Sequence, residues 1–256
     1  MKSQTERGSP VIRDFLFLRI RSKILHMDMQ LRKIDRDETL RYLGIVGGVP
    51  DGLVAAQLAE AEGIVLRLAQ PRAVYRLFDL ERDGDVLRLQ GTALDLEGED
   101  IRAHLKAADR CVLMAATLGA AVERELRRIQ VTDMALATVL DAAAGTAIEQ
   151  ICDDLQRELA AIAASEGRFL TDRFSPGYGD MPLEQQRRIC AVLDAGKIGL
   201  TVTEHFLLTP RKSVTAVSGL CSEPVAAKTD ACAVCKIADT CKLRKAGTPC
   251  GKPFVQ

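Results

Sequence analysis

The stretch Arg173-Phe174-Ser175-Pro176-Gly177-Tyr178-Gly179-Asp180 holds the residue types best suited to gripping a small polar ligand. A guanidinium presents a planar fork to a carboxylate. Pro176 fixes φ, while Gly177 and Gly179 admit positive φ and close approach of backbone to a ligand. Tyr178 adds an aromatic face with a polar tip, against which a purine-like ring can lie. Together these groups suit an amino-acid carboxylate joined to such a ring. They equally suit an ordinary turn between two helices with a solvated arginine.

Cysteines form the second group. Cys111, Cys152 and Cys190 are scattered and read as small buried hydrophobes. Cys221, Cys232, Cys235, Cys241 and Cys250 crowd towards the end of the chain. The Cys232-x2-Cys235 pair can hold a metal from two sides, and four of these five thiolates would suit zinc or an iron–sulfur cluster. Lys236, Lys242, Arg244 and Lys245 lie among them and would offset thiolate charge. The spacing matches neither a bacterial ferredoxin run nor a paired zinc ribbon, so a redox-active or disordered tail stays open. The 3 histidines, His26, His104 and His205, are too few and too dispersed for a His-based centre.

The elements that must position these residues alternate between helix and strand. Asp35 to Leu43 has a carboxylate-rich first turn and reads as a short helix. After the turn-rich break at residues 47–52, Leu53 to Leu68 carries Val54, Leu58, Ala61, Val65 and Leu68 at helical spacing. Val74–Leu80 and Val86–Leu89 flank Asp83-Gly84 and predict a hairpin. Asp100–Ala108 reads as a helix and Cys111–Ala116 as a buried strand. That strand passes through Thr117-Leu118-Gly119 into a helix over Val122–Ile129. Residues 133–166 form the clearest helix. Thr132 or Asp133 can cap it, Leu136, Leu140, Ala143, Ala147, Ile151, Leu155, Leu159 and Ile162 make one stripe, and Gly167 stops it. Asp180 is placed to cap a further helix over Leu183–Ala195, with Pro182 in its first turn. Ile198–Leu208 and Val214–Leu220 read as strands. The irregular order predicts an α+β (mixed α/β) domain over residues 31–220, with an antiparallel-rich sheet and long helices. Residues 1–30 read as an extension, and 221–256 as a Cys-rich tail.

Composition bounds what such a domain can do. Apolar residues make up 47% of the 256, enough for a sizeable core. Lys plus Arg and Asp plus Glu are 35 each, so the chain lacks the basic field of a nucleic-acid or anionic-membrane binder. The apolar run at Phe15–Leu18 is broken at once by Arg19 and Arg21, unlike a secretory leader, and no unbroken apolar stretch reaches membrane-spanning length. The expected location is the cytoplasm.

The 173–178 segment resembles the Arg-x-Ala-Pro-Gly-Tyr stretch that binds S-adenosylmethionine in the activation domain of cobalamin-dependent methionine synthase. Further on, Gly199-Leu200-Thr201-Val202-Thr203-Glu204-His205-Phe206 is similar to that family's Gly-hydrophobic-x-hydrophobic-Thr-Glu-Ser-Phe, and Pro210 and Ser213-Val214 follow in place. Free-standing members look closer still, with Arg-Phe-Ser-Pro-Gly-Tyr-Gly-Asp and Pro-Arg-Lys-Ser-Val. The likeness is strong over 170–220 and looser over 34–169, where Ala116-Thr117-Leu118-Gly119 is the best landmark, and it does not cover the first 30 residues. It implies an activation subunit, inactive alone, that presents S-adenosylmethionine to the oxidised cobalamin of a methionine synthase or another corrinoid protein. A reductant such as flavodoxin or ferredoxin would supply the electron. By matching, Arg173 takes the ligand's carboxylate, Ser175 replaces an Ala that makes backbone contacts, Pro176 and Gly177 belong to the same cofactor-binding stretch, Tyr178 lies along the ligand, and Glu204 belongs to the motif without an assigned role. Gly179 stands where the family has Pro, and the family's acidic residue for the ligand's amino group has no recognisable counterpart near the start. The chain has no Asp-x-His-x-x-Gly, the cobalt-ligating signature of cobalamin-binding domains, so a partner would bring the corrinoid. An alternative is an iron–sulfur or zinc activator that reuses the fold with a vestigial pocket.

Overall fold

The structure is a computed structural model that describes residues 23–45, 50–224 and 239–245. Its spine is the pair of long antiparallel strands β2 (Arg72–Asp83) and β5 (Ala108–Thr117), registered from Arg72 opposite Thr117 to Asp79 opposite Arg110. β3 (Val86–Leu89) folds back on β2 through the Asp83-Gly84 turn, with φ +56° at Gly84, as the sequence predicts. β4 (Asp95–Leu96) extends that edge, and β9 (Ser213–Cys221) and the two-residue β6 (Phe169–Leu170) extend the other, giving the order β4-β3-β2-β5-β9-β6.

The central strand is apolar on both faces because both are covered. Val112, Met114 and Ala116 of β5 join one core, and Cys111, Leu113 and Ala115 join the other. Helices α1 (Arg36–Tyr42), α2 (Gly52–Leu68), α4 (Ala120–Thr132) and α5 (Met134–Ser165) cover the first face. The second face carries α3 (Glu99–His104), α6 (Gln185–Val192), a 3-10 turn (Ala195–Ile198) and the hairpin edge. Strands whose two faces are both buried need no polar alternation, which is why Cys111–Ala116 reads as an unbroken apolar run.

α5 organises the first layer. Asp133 accepts a hydrogen bond from the Leu136 N–H, as an N-cap does, and Gly167 takes φ +67° beyond the end. By length and composition this helix could cross a membrane, yet 67% of its apolar window is buried inside the domain, so its stripe serves the core. Leu140, Ile151 and Leu155 are fully buried. Truncating such a side chain to Ala typically costs about 2–5 kcal/mol.

Four expectations are corrected. Leu25–Asp28 is not extension but strand β1, paired with Tyr75–Arg72, and Met29 behind it is in the core. Residues 198–208 are not one strand. The 3-10 turn ends at Gly199 in the left-handed region, and only Thr201–Val202 (β7) and Leu208–Thr209 (β8) pair. Cys221 is not the first residue of a tail but the last of β9, opposite Ala108 and Phe169 and 1% exposed. Asp180 does not cap the helix that follows it, a point taken up below. Cys111, Cys152 and Cys190 are buried, and burial raises all three thiol pKa values, that of Cys190 to about 11.

Candidate functional site

The segment carrying Arg173 is fastened to β9 before it becomes a loop. Phe169 and Leu170 pair with Cys221 and Leu220, and Thr171 and Gly219 exchange hydrogen bonds. Phe174 bridges Val217 with both backbone groups. Gly219 is required there, since a Cβ would come within 2.9 Å of Ala108 and Leu105 side-chain carbons. The zipper leaves Arg173 facing α5.

On α5, Glu149, Asp153 and Gln156 stand at i, i+4 and i+7, hence on one face. Arg173 donates to all three. Nη1 reaches Asp153 Oδ1 and Gln156 Oε1 at 2.8 Å each, and Nη2 reaches Glu149 Oε2 at 3.1 Å. Three of a guanidinium's five N–H groups are thus engaged, leaving two without a partner among the described residues. The carboxyl pKa of Glu149 is raised. Partial burial is the main cause, Arg173 opposes it, and Asp153 and Glu38 add to the rise.

The loop itself is tightly made. Tyr178 N–H donates to Ser175 O, Gly177 N–H to Met181 O and Met181 N–H to Tyr178 O. Pro176 is buried beneath it, and Gly177 and Gly179 take φ +89° and +55°, the freedom the sequence predicts for them. Two distant segments cap each other here. Asp180 accepts from the Glu99 and Asp100 N–H groups at 2.6 and 3.0 Å, and Asp180 N–H donates to Asp100 Oδ2 at 3.2 Å. Those backbone donors lower the Asp180 pKa, because they favour the carboxylate. The correction is physical: α3 follows Gly98, which has no side chain to cap it, and Asp180 supplies one from across the fold.

Aromatic rings line the same region. Phe174 lies 5.3 Å from the His104 ring and 6.4 Å from that of Tyr178, the latter edge-on. His104 is fixed by the Thr171 hydroxyl and Asp172 O. Tyr178 is 69% exposed and available as a platform. Tyr42, at the end of α1, is the residue the sequence reading missed. Its pKa is raised by burial first, then by Glu149 and Glu38; Arg41 opposes the rise and Tyr178 adds to it. Its ring lies over Gly145 of α5, 3.8 Å from where a Cβ would stand, and Lys212 Nζ lies 3.7 Å from the same point. Lys212 itself is tied to Asp141. Among the described residues the exposed aromatics are Tyr42 and Tyr178, at 43% and 69%. That exposure could not be read from the sequence.

Glu204 is elsewhere in contact terms. It sits at the exposed tip between β7 and β8, where Thr203 bonds Leu207, and among the described residues it has no hydrogen bond or ion pair. Cys241 is partly exposed, whereas Cys232, Cys235 and Cys250 lie outside the described residues. Among the described residues no His, Cys, Asp or Glu group is arranged to hold a metal. A cavity of about 500 Å³ between α2, α4 and α5, lined by Gly63, Arg67, Arg128 and Leu136 among others, contains none of the predicted site residues. Its charges include the Glu125–Arg128 pair on one helix surface.

No protein-family model matches the chain, and no curated protein sequence does. Among solved structures, the crystal structure of the MetH reactivation domain bound to AdoHcy (S-adenosylhomocysteine) is similar with a TM-score of 0.61. The likeness covers 89% of this chain and 87% of that one, at 17% identity. The chain therefore has the fold of that domain, an α+β arrangement of antiparallel sheet and long helices.

Proposed function

We propose that this chain binds S-adenosylmethionine at the Arg173–Tyr178 loop and serves the reductive reactivation of a corrinoid protein, such as a cobalamin-dependent methionine synthase. The observation that supports this most is Arg173. It is fixed in place by three acceptors on α5 while two N–H groups remain for a ligand carboxylate, beside two exposed tyrosines. The likeness in fold to a domain crystallised with AdoHcy points the same way. In this reading Arg173 holds the methionyl carboxylate, the 175–177 backbone meets the nucleoside, and Tyr178 and Tyr42 flank the ring. Ser175, Pro176 and Gly177 act through a loop whose shape Asp180 and Asp100 maintain. The corrinoid would come with the partner, and a flavodoxin- or ferredoxin-type donor would supply one electron. The chain's own residues orient the sulfonium so that its methyl group faces that partner.

Two measurements test this. S-adenosylmethionine at millimolar concentration should raise the melting temperature by mass action. Arg173→Ala should abolish the shift, since a hydrogen bond to a charged group is worth about 1.5–3 kcal/mol. In a mixture with an oxidised methionine synthase lacking its own activation domain, S-adenosylmethionine and a low-potential reductant, the chain should restore turnover, and Tyr178→Ala should impair recovery. A wild-type protein that gains no thermal stability from the ligand would refute the reading.

A further inference from the structure

Away from the Arg173 loop, one arginine lacks the acceptor its surroundings call for. Arg72 opens β2 and is half-buried, its Nε atom is wholly buried, and its side chain has no hydrogen bond or ion pair among the described residues. A guanidinium taken out of water normally finds an acceptor, because its N–H groups otherwise keep their desolvation cost. An acid is near at hand. Asp28 is the cross-strand neighbour of Arg72 in the β1–β2 ladder, at a spacing that suits an ion pair, yet the two do not form one. The guanidinium packs instead against Gly199, with Nη2 3.2 Å from where a Cβ would stand. Asp28 and Arg72 both line a cavity of about 340 Å³, together with Met29, Gln70 and Pro71. The Gln70 side chain is also without a partner among the described residues, while its backbone N–H is held by Leu118 O. Met29 N–H donates to Pro71 O and closes the ladder, so these two residues form a fixed apolar wall. An acid, a base and an amide, none of them paired, thus share one cavity.

We propose that this cavity binds a free α-amino acid with an apolar side chain, at a site separate from the Arg173 loop. An α-amino acid carries a carboxylate and an ammonium on one carbon. Arg72 takes the carboxylate, Asp28 the ammonium, Gln70 offers a donor and an acceptor, and the side chain lies along Met29 and Pro71. Asp28 disfavours a phosphate-like anion and Arg72 disfavours a simple cation, so a ligand bearing both signs is the one that satisfies both residues. The volume stands at the lower end of the range for small-molecule sites, about 300–1,000 Å³. The segments before residue 23 and after residue 224 are richer in Lys and Arg than in Asp and Glu, so neither is a ready source of the missing carboxylate. Arg76 has a buried, unpartnered Nε as well, but it lies over the Phe78 ring at 4.7 Å and does not line the cavity. Arg72 shares the face of β2 that carries Val74 in the second core, whereas Arg173 faces α5 over the first. The proposal therefore stands apart from the S-adenosylmethionine reading.

The test is a ligand-observed NMR titration of the full chain with L-norleucine, and with hexanoate and pentylamine, which keep only its carboxylate or only its amine. Norleucine should bind at least roughly tenfold more tightly than either half-ligand, as expected when a second charged hydrogen bond is added. Asp28→Asn and Arg72→Gln should each weaken norleucine by roughly tenfold or more. Arg173→Ala should leave its affinity unchanged. Hexanoate binding as tightly as norleucine would show a plain anion site and overturn the proposal, and so would an Asp28→Asn variant of wild-type affinity. Loss of norleucine binding in Arg173→Ala would put the amino acid at the loop, and no binding to wild type in the millimolar range would leave the cavity without this ligand; either result overturns the proposal and leaves the S-adenosylmethionine reading to its own test. Should Arg72→Gln fail to fold, Asp28→Asn decides, since Asp28 is exposed and the substitution keeps its shape.

Discussion

Replacing Gly179 by Ala tests whether the binding loop is held by its mutual capping with α3 or by its own turn. The new Cβ would stand 2.8 Å from Asp100 Cγ and 3.0 Å from Asp100 Cβ, and φ at this residue is +55°. Two costs follow. An L-residue in the left-handed region costs roughly 1–2 kcal/mol. The Asp100 carboxylate must also swing away and lose its hydrogen bond from Asp180 N–H, a net loss of about 1 kcal/mol at an exposed position. Their sum, roughly 2–3 kcal/mol, corresponds to a melting temperature lower by about 4–12 °C for a domain of this size. Gly167→Ala is the matched control. Its φ is +67°, but a Cβ there meets nothing within 4 Å, so only the backbone cost applies. Calorimetric melting of both variants should place Gly179→Ala below Gly167→Ala by roughly 2–4 °C. Thermal shifts with S-adenosylmethionine should weaken in the first variant and persist in the second. Equal melting temperatures would show that Asp100 yields freely and that the capping does not hold the loop.

Three further expectations follow from the geometry. Asp180 has a lowered pKa, so its stabilising effect is present above the ordinary aspartate value and lost as pH falls through the folded one. The melting temperatures of wild type and Asp180→Asn should therefore differ at pH 5 and converge in strong acid, and a constant gap would contradict the assignment. Truncation after Pro224 should preserve cooperative unfolding, whereas truncation after Leu220 should lower the melting temperature, because Cys221 fills the second core. Equal melting curves would show that Cys221 adds nothing. The cysteine-rich tail is expected to bring zinc or an iron–sulfur cluster with anaerobically purified protein, and Cys232→Ser with Cys235→Ser to abolish it. A colourless, metal-free wild type would dismiss that expectation.

What was legible in the sequence is what neighbouring residues decide among themselves. The stripe from Leu136 to Leu159 fixes a buried helix, and Asp133 caps it because an N-cap needs only the N–H groups two or three residues on. Asp83-Gly84 between alternating strands fixes the first hairpin, and the spacing of Pro176, Gly177 and Gly179 fixes a turn with two left-handed residues. Strand β1 escaped because four residues gain an edge position only when β2 is already there to receive them. Residues 198–208 misled because β-prone residues bounded by a glycine look alike whether or not a partner strand lies alongside. Asp180 misled for a similar reason: a cap is recognised by the helix that follows it in sequence, yet the unsatisfied donors it serves belong to α3, eighty residues earlier. The site divides along the same line. Arg173 and Tyr178 announce themselves through residue type, but Glu149, Asp153 and Gln156 look like the solvated face of a long helix until β9 draws the 169–174 segment against it. Tyr42 gains its place only when α1 packs on α5, with Thr39 against Thr146. Local chemistry determines which residues are able to bind, and only the non-local pairing of strand, loop and helix decides which of them face one another.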